Sequence, residues 1–310
     1  VCSSGMMSVM QAATMIRAGE ADLMLAGGTE SMSGTGFYLS HRARWGYKFL
    51  MGNPEGLTDL LLHDGLSDPM SGEAMGVQTE RLAAEKGVAR EQLDEVAAMS
   101  HERADAAWAN GAFTSEVAPI EYRVRRDMVT LNRDEGIRPA TTLASLAKLR
   151  PAFNKKGVLT AGNSSQISDG ATTMVIASGD ALEKYGLKPM ARVLASSWSA
   201  GAPWRFPEAP IPAVNKVLNK LSLTVDDFDL FENNEAFSIN SVLFRDMLGV
   251  SYDKLNVNGG AIALGHPIGC SGARILGTLA HALVNRDLER GMAAICHGTG
   301  GGTAIAIERV

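Results

Sequence analysis

Two cysteines and one histidine stand beside glycine-rich turns, where side chains can reach a ligand. Cys2 directly precedes Ser-Ser-Gly and a predicted helix. Unpaired N–H groups at a helix N terminus favour a thiolate, which is the nucleophilic form of cysteine. Cys2 is therefore a candidate nucleophile, although a lone cysteine is more often a small buried residue.

His266 lies in the loop of residues 258–274, NGGAIALGHPIGCSGAR, between a predicted strand and a predicted helix. Glycines let the backbone approach a ligand closely, and a histidine between Gly265 and Pro267 does not belong to a regular helix face. A neutral imidazole there can activate a thiol and donate a hydrogen bond to a thioester oxygen. A nucleotide-phosphate loop is the rival interpretation, but neither the dinucleotide pattern nor the P-loop pattern fits.

Cys296 ends a predicted strand and precedes HGTGGG, whose backbone N–H groups can face a developing oxyanion. We interpret Cys296 as an exposed candidate base. His297 is a conceivable metal ligand, but the sequence has neither CxxC nor HExxH spacing, and we predict no metal. Strand alternation directs the side chain of His297 away from that of Cys296.

The segment FENNEAF places four polar residues, 232–235, at the end of a predicted strand. They suggest an orienting network, in which Asn234 can fix a water beside His266. A helix cap with solvated charges is an equally good interpretation of the same four residues.

Alternating strands and helices must position these side chains. Apolar residues at helical spacing predict a helix over residues 6–16, ended by Gly19, and a buried strand over residues 22–26. Residues 32–162 have the polar texture of an insertion. Further predicted helices are 75–84, 92–109, one near 213–221 and one from Glu235, and further predicted strands are 170–177, 191–197, 229–232, MAAICH and TAIAIERV.

The composition excludes several classes of protein. The 310 residues, 45% of them hydrophobic, suffice for two domains. A net charge of −5 with interspersed signs provides no basic surface for nucleic acid or a membrane. Three cysteines favour a reducing compartment over a disulfide framework, so we predict a cytoplasmic location. No apolar run reaches the ~20 residues of a membrane span, and an organellar location stays open because the chain starts at Val1.

The segments CSSG, NEAF, GGAIALGHPIGCSGAR and CHGTGGG resemble the signatures of the thiolase family in order and spacing. AGGTESMS, AKLRPAF and TAGNSSQISDGA resemble intervening family segments, so the similarity covers essentially the whole chain. The resemblance implies an α/β thiolase fold of five layers, α-β-α-β-α, built from two similar halves. It assigns residues 1–31 and 166–185 to an N-terminal half with its first part missing, 32–165 to an inserted loop domain, and 186–310 to the C-terminal half.

The resemblance also implies roles for individual residues. Cys2 matches the nucleophile that accepts the acyl group, His266 the histidine that activates it, and Cys296 the cysteine that moves the α-proton. Asn234 matches the asparagine whose water forms an oxyanion hole with His266, and the N–H groups of Cys2 and Gly298 match a second hole. The implied reaction is thiolytic cleavage of a 3-oxoacyl-CoA or the reverse Claisen condensation. CoA thioesters are the substrates, and no redox cofactor or metal is required.

Three residues, Ser165, Phe237 and Arg138, match family positions near coenzyme A. The chain departs from the family pattern at Ala74, where some biosynthetic members have histidine, at Gln166, where glycine is frequent, and in HGTGGG. These departures leave the acyl chain length open.

A basic segment contains Arg42, Arg44 and Lys48. These side chains are equally compatible with binding the CoA phosphates and with a solvated or subunit-facing surface. The resemblance further implies a homodimer or a homotetramer.

Related enzymes and a different class of protein supply the alternatives. A ketoacyl synthase requires two histidines and a 3-hydroxy-3-methylglutaryl-CoA synthase requires a glutamate base, so Cys296 argues against both. Thiolases of the sterol carrier protein type generally lack NEAF. The other alternative is a non-catalytic or incomplete fragment, which we expect to be unstable alone because missing strands would expose an apolar edge.

Overall fold

Two β-sheets and the helices between them carry the predicted site. The computed structural model describes residues 1–46 and 56–310. The helices are α1 (Ser4–Arg17), α2 (Met75–Lys86), α3 (Arg90–Ala109), α4 (Leu143–Leu146), α5 (Gly179–Tyr185), α6 (Pro210–Leu221), α7 (Ser238–Leu248), α8 (Ala261–Leu264) and α9 (Ile268–Arg286). The strands are β1 (Leu23–Ser31), β2 (Phe37–Tyr38), β3 (Thr58–Asp59), β4 (Ile120–Val124), β5 (Asp127–Leu131), β6 (Asp169–Ala177), β7 (Ala191–Ala200), β8 (Leu230–Asn233), β9 (Arg290–His297) and β10 (Gly301–Arg309).

The larger sheet has the strand order β7-β10-β9-β8. β8 runs parallel to β9, with Asn233 opposite Ala294, and the other neighbours are antiparallel, with Gly302 opposite Cys296. Because parallel strands end at the same edge of a sheet, the NEAF segment after β8 and Cys296 at the end of β9 are neighbours.

Helices α1 and α9 pack on each other between the two sheets. Their buried apolar residues include Met6 and Val9 from α1 and Leu279 from α9. The two backbones approach closely, since a Cβ added to Gly5 would lie 2.9 Å from the carbonyl oxygen of Gly269. Glycine is therefore required at this crossing, and the N termini of both helices are brought together.

The smaller sheet pairs β1 with β6 in antiparallel register. One face of it covers α1 and α9, and the other face exposes Leu25 (76% accessible) and Val175 (55%). Helix α6 packs on the opposite face of the larger sheet from α9. The order is thus α6, sheet, α1 with α9, sheet, which accounts for four of the five predicted layers.

The insertion contributes helices to the core of the C-terminal half. Leu82 of α2 and Leu93 and Val96 of α3 belong to the same buried cluster as Ile239 of α7. The hairpin β4–β5, in contrast, is exposed along both strands. The division of the chain into the predicted domains stays a prediction. Within the ranges 1–46 and 56–310, no helix combines the length and apolarity needed to cross a membrane.

Two predicted boundaries were wrong. The strand predicted over residues 22–26 continues to Ser31, with Gly27 and Gly28 inside it, and it is mostly not buried, since Ala26 is its one buried residue. The helix predicted from Glu235 begins only at Ser238, since the backbone is extended at Phe237 (φ −141°, ψ 153°). The strand predicted before the glycine-rich loop of residues 258–274 was also wrong, because Leu255 makes only an isolated bridge with Phe231 and a bend and a turn follow it. The other predicted core elements lie within a few residues of the observed ones.

Candidate active site

The predicted site residues converge where α1 and α9 begin and where β8 and β9 end. Cys2 and His266 each precede the first residue of a helix by two positions, and those helices are in backbone contact at Gly5. The backbone N–H of Asn234 donates to the carbonyl of Ala294 on β9 (3.1 Å). Helix packing therefore holds the segments that carry Cys2 and His266 side by side, and the sheet holds Asn234 beside β9.

The thiol of Cys2 is buried, and its sulfur accepts hydrogen bonds from its own N–H and from the N–H of Gly298. Burial nevertheless raises the pKa of Cys2 to about 11. The N–H groups of Cys2 and Gly298 favour the thiolate, but the loss of solvation outweighs them, so the resting group is a thiol. Cys2 needs a base that removes its proton during attack.

His266 is a neutral imidazole with a defined tautomer. Its Nδ1 lies 2.6 Å from the Oγ of Ser271, and that hydroxyl donates its only proton to the carbonyl of Pro267 (2.9 Å). Nδ1 must therefore carry a proton and donate it, which leaves the lone pair on Nε2. Burial, together with the charge of Arg274, lowers the pKa of His266 to about 3. Near neutral pH, Nε2 is thus free to accept a proton.

Asn234 lies against the ring of His266. Its Nδ2 is 3.4 Å from both ring nitrogens, and because Nδ1 is engaged by Ser271, Nε2 is the available partner. The Oδ1 of Asn234 is buried and has no hydrogen-bond partner within the described ranges. Once Nε2 has taken a proton, the imidazole and the neighbouring amide are adjacent donors that can face one oxyanion. The water predicted for this hole stays a prediction.

Cys296 is 1% accessible, so its prediction as an exposed base was wrong. Burial raises the pKa of this thiol, and the nearby Cys2 raises it further. The only side chain among the described residues that donates to its sulfur is Asn240, whose Nδ2 lies 3.5 Å away. Two adjacent thiols that oppose each other's ionisation can carry one negative charge between them, which suits alternating proton transfer.

The turn after Cys296 is held in place by hydrogen bonds to Gly298, the residue that contributes an N–H group. The carbonyl of Gly298 accepts hydrogen bonds from Nδ1 of His297 (2.6 Å) and from the hydroxyl of Thr299. Thr299 adopts φ +68°, which is unusual for a β-branched residue and indicates a turn constrained by its surroundings. No cluster of metal-ligating residues includes His297 or any other residue of the described ranges.

A cleft of about 290 Å³ adjoins the predicted coenzyme A residues. Arg138 and Gln166 line it, whereas Ser165 lies beside it, with its N–H donating to the carbonyl of Ala236 (3.0 Å) next to Phe237. The structure therefore brings these predicted contacts into one region. Of the basic residues predicted near the CoA phosphates, Arg44 is exposed and Lys48 lies outside the described residues.

His101 is a cleft residue that the sequence did not indicate. It belongs to α3, and its Nδ1 accepts the backbone N–H of Arg138 (3.2 Å). Burial lowers its pKa to about 4, so the ring is neutral. Its position in the cleft could not be predicted from the sequence, because a single histidine within a helix has no motif around it.

Two family models match consecutive parts of the chain. The model described as "Thiolase, N-terminal domain" matches residues 1–180, and "Thiolase, C-terminal domain" matches residues 187–309. The chain belongs to the thiolase family. It is thus an acyltransferase with the thiolase fold, as the resemblance of its motifs predicted, and the alternative of a non-catalytic fragment is not favoured.

Named relatives support the same family. The chain is 67% identical over 310 residues to an acetyl-CoA acetyltransferase of Synechocystis sp. and 43% identical to that of Escherichia coli, covering all of this chain and 78% of each relative. The crystal structure of the Bacillus anthracis acetyl-CoA acetyltransferase matches with a TM-score of 0.94 at 38% identity. Human mitochondrial 3-ketoacyl-CoA thiolase matches with a TM-score of 0.93 at 37% identity. Both structural matches cover 100% of this chain and 77% of the other.

Behind the site, this thiolase buries the polar residues of FENNEAF rather than exposing them. Glu232 and Glu235 are each 1% accessible, so the interpretation as a solvated helix cap was wrong. Glu235 accepts hydrogen bonds from Asn256 and Ser241 (3.1 Å each). Both carboxyl oxygens of Glu232 lack a hydrogen-bond partner among the described residues, and burial raises its pKa to about 8.

The raised pKa of Glu232 predicts a pH-dependent stability. Between its ordinary value of 4.5 and about 8, the folded protein holds a proton that the unfolded chain releases. The contribution of Glu232 to the free energy of unfolding therefore falls as pH rises through this interval. We expect Glu232→Gln to reduce this loss by on the order of 2–4 kcal/mol between pH 5 and pH 8, measured by chemical denaturation.

The exposed Glu183 offers a control of the same chemistry. Glu183→Gln should leave the pH dependence of unfolding unchanged. If the free energy of unfolding had the same pH dependence in the wild type and in Glu232→Gln, Glu232 would not be the group that holds the proton.

Proposed function

We propose that this thiolase acts as an acetyl-CoA acetyltransferase, which joins two acetyl-CoA molecules into acetoacetyl-CoA and cleaves acetoacetyl-CoA with CoA. The observation that carries the proposal is the pairing of two buried thiols, Cys2 and Cys296, with a neutral imidazole at His266. The bacterial relatives from Synechocystis sp. and Escherichia coli are acetyl-CoA acetyltransferases, which supports acetyl as the transferred group.

In the first half of the reaction, the sulfur of Cys2 gives its proton to Nε2 of His266 and attacks the thioester carbon. The N–H groups of Cys2 and Gly298, which contact this sulfur in the free protein, are placed to donate hydrogen bonds to the developing oxyanion. The carbon–sulfur bond to CoA then breaks, and the departing CoA sulfur takes the proton of Cys296. The acyl group stays on Cys2, and Cys296 is left as a thiolate beside a protonated His266.

In the second half, the thiolate of Cys296 removes an α-proton from another acetyl-CoA. The enolate oxygen is stabilised by donors at Asn234 and His266. The enolate carbon attacks the carbonyl carbon of the acyl group. The bond between that carbon and the sulfur of Cys2 then breaks, and the sulfur recovers its proton from His266. Every proton is returned, so the cycle closes with both cysteines as thiols.

A short acyl group fits the surroundings of Cys2 best. A Cβ added to Gly298 would lie 3.3 Å from the terminal methyl of Met75. The Met75 side chain, itself buried, therefore occupies space beside the N–H group that faces the reactive sulfur.

A substrate series tests the acyl preference. We expect kcat/KM for thiolysis to be highest with acetoacetyl-CoA and to fall by about tenfold or more for 3-oxohexanoyl-CoA and longer substrates, the loss expected when added methylenes do not fit. Met75→Ala should narrow the difference in kcat/KM between acetoacetyl-CoA and the longer substrates. If the wild type preferred substrates with long acyl chains, the acetyl-CoA acetyltransferase proposal would be wrong, and the enzyme would instead be a 3-ketoacyl-CoA thiolase.

Three further expectations accompany this proposal. Coenzyme A thioesters are substrates rather than cofactors, because the steps above are carried by protein side chains. A homodimer or homotetramer is expected from the family resemblance and can be tested by light scattering. A cytoplasmic location stays a prediction from the cysteine content.

A further inference from the structure

Asn240 contacts a reacting atom although no sequence motif assigned it a role. It is the third residue of α7 and is 0% accessible. Its Oδ1 accepts the backbone N–H of Phe237 (3.0 Å), and its Nδ2 donates to the carbonyl of Pro207 (2.9 Å). The same Nδ2 lies 3.5 Å from the sulfur of Cys296. Every polar atom of this buried amide thus has a partner.

The neighbours of Asn240 determine the orientation of its amide. The N–H of Phe237 can only donate, so it requires the amide oxygen, and the carbonyl of Pro207 can only accept, so it requires an amide N–H. The second N–H on the same nitrogen is left for the sulfur of Cys296. The amide cannot reverse without breaking both of the other hydrogen bonds.

We propose that Asn240 is a positioning residue for carbon–carbon bond formation and cleavage, acting by donating an N–H to the thiolate of Cys296. This inference rests on the proposed role of Cys296 as the group that moves the α-proton. A hydrogen bond to the charged form favours that form, and a donor of fixed direction also orients the sulfur. Asn240 thereby opposes the unfavourable effects of burial and of the neighbouring Cys2 on ionisation of Cys296.

Replacing the amide by a carboxylate is the sharpest test. Asn240→Asp keeps the oxygen that accepts from Phe237 but removes both N–H donors and adds a negative charge beside the sulfur. Asn240→Ser, whose hydroxyl is shorter, removes the donor without adding a charge. Asn219→Asp makes the same change at an exposed position of α6 and serves as the matched control.

The first readout does not depend on enzymatic activity. In a Cys2→Ser background, the rate of Cys296 alkylation by iodoacetamide is followed by peptide mass spectrometry between pH 7 and 10. We expect Asn240→Asp and Asn240→Ser to slow alkylation by about 10- to 100-fold, the effect of losing one hydrogen bond to a charged group, and to move its pH profile upward. An unchanged profile in both variants, with the native circular dichroism spectrum, would overturn the proposal.

The second readout links the thiolate to the reaction. In the background with Cys2 intact, both variants should lower kcat for condensation by a similar factor, shift its acid limb to higher pH and leave KM nearly unchanged, whereas Asn219→Asp should behave as wild type. A slower alkylation without an effect on kcat would contradict the role in the reaction. If the wild type has no thiolase activity at all, the proposed function fails, while the alkylation profile still decides whether Asn240 stabilises the Cys296 thiolate.

Discussion

Cys2→Ala is expected to lower both thiolysis and condensation by on the order of 10⁴-fold or more, because the reaction loses its nucleophile. The neutral His266 beside Cys2 has no other thiol from which it can generate the attacking sulfur, since Cys296 is required for the α-proton. Mass spectrometry after incubation with acetyl-CoA should detect no acetyl group on the peptide that carries residue 2.

Cys270 provides the control for removal of a buried thiol. It is 1% accessible, and its sulfur lies 3.2 Å from the hydroxyl of Thr172 on β6. Cys270→Ala should retain nearly full activity and normal acetylation of Cys2. Acetylation of the Cys2→Ala protein at Cys296 or Cys270, with turnover preserved, would contradict the assignment of the nucleophile.

Cys296→Ala is expected to separate the two halves of the reaction. Carbon–carbon bond formation and cleavage should fall by about 10³-fold, within the range of a lost general base. Acetylation of Cys2 by acetyl-CoA should persist at a reduced rate, because His266 holds the proton taken from Cys2 and can return it to the departing CoA. The variant should therefore accumulate acetyl-enzyme that is not consumed by a second acetyl-CoA.

Exchange of the α-protons of acetyl-CoA in deuterated water gives a direct measure of the step assigned to Cys296. The wild type should catalyse this exchange and Cys296→Ala should not. Exchange at the wild-type rate in Cys296→Ala would place the base elsewhere. Loss of Cys2 acetylation together with exchange would indicate disruption of the site rather than removal of a base.

The local pattern of the sequence predicted most of the elements, but it missed features created by close packing between distant segments. Helical spacing located α1, whereas β1 was predicted to end at Ala26, before Gly27 and Gly28. A Cβ added to Gly28 would lie 2.0 Å from the carbonyl oxygen of Gly269. These glycines therefore continue β1 beneath α9, a requirement that only the three-dimensional contact reveals.

The sequence indicated the candidate reactive residues of the site but not the residues that support them. Cys2, His266 and Cys296 could be singled out because each lies beside glycines, and the family resemblance added Asn234 and Gly298. The resting ionisation of the thiols could not be predicted, because burial is a property of the fold. Ser271 lies within the glycine-rich motif of residues 258–274 but had no role assigned from the sequence, and Asn240 and His101 belong to helices with no distinctive pattern.

The most direct test of the proposed reaction is cleavage of acetoacetyl-CoA by free CoA, with simultaneous trapping of the acyl-enzyme. We expect acetyl-CoA to form, with a single acetyl group found on Cys2 after rapid acid quenching. Cleavage that proceeds without any acyl group on Cys2, or the absence of cleavage with every 3-oxoacyl-CoA tested, would contradict it.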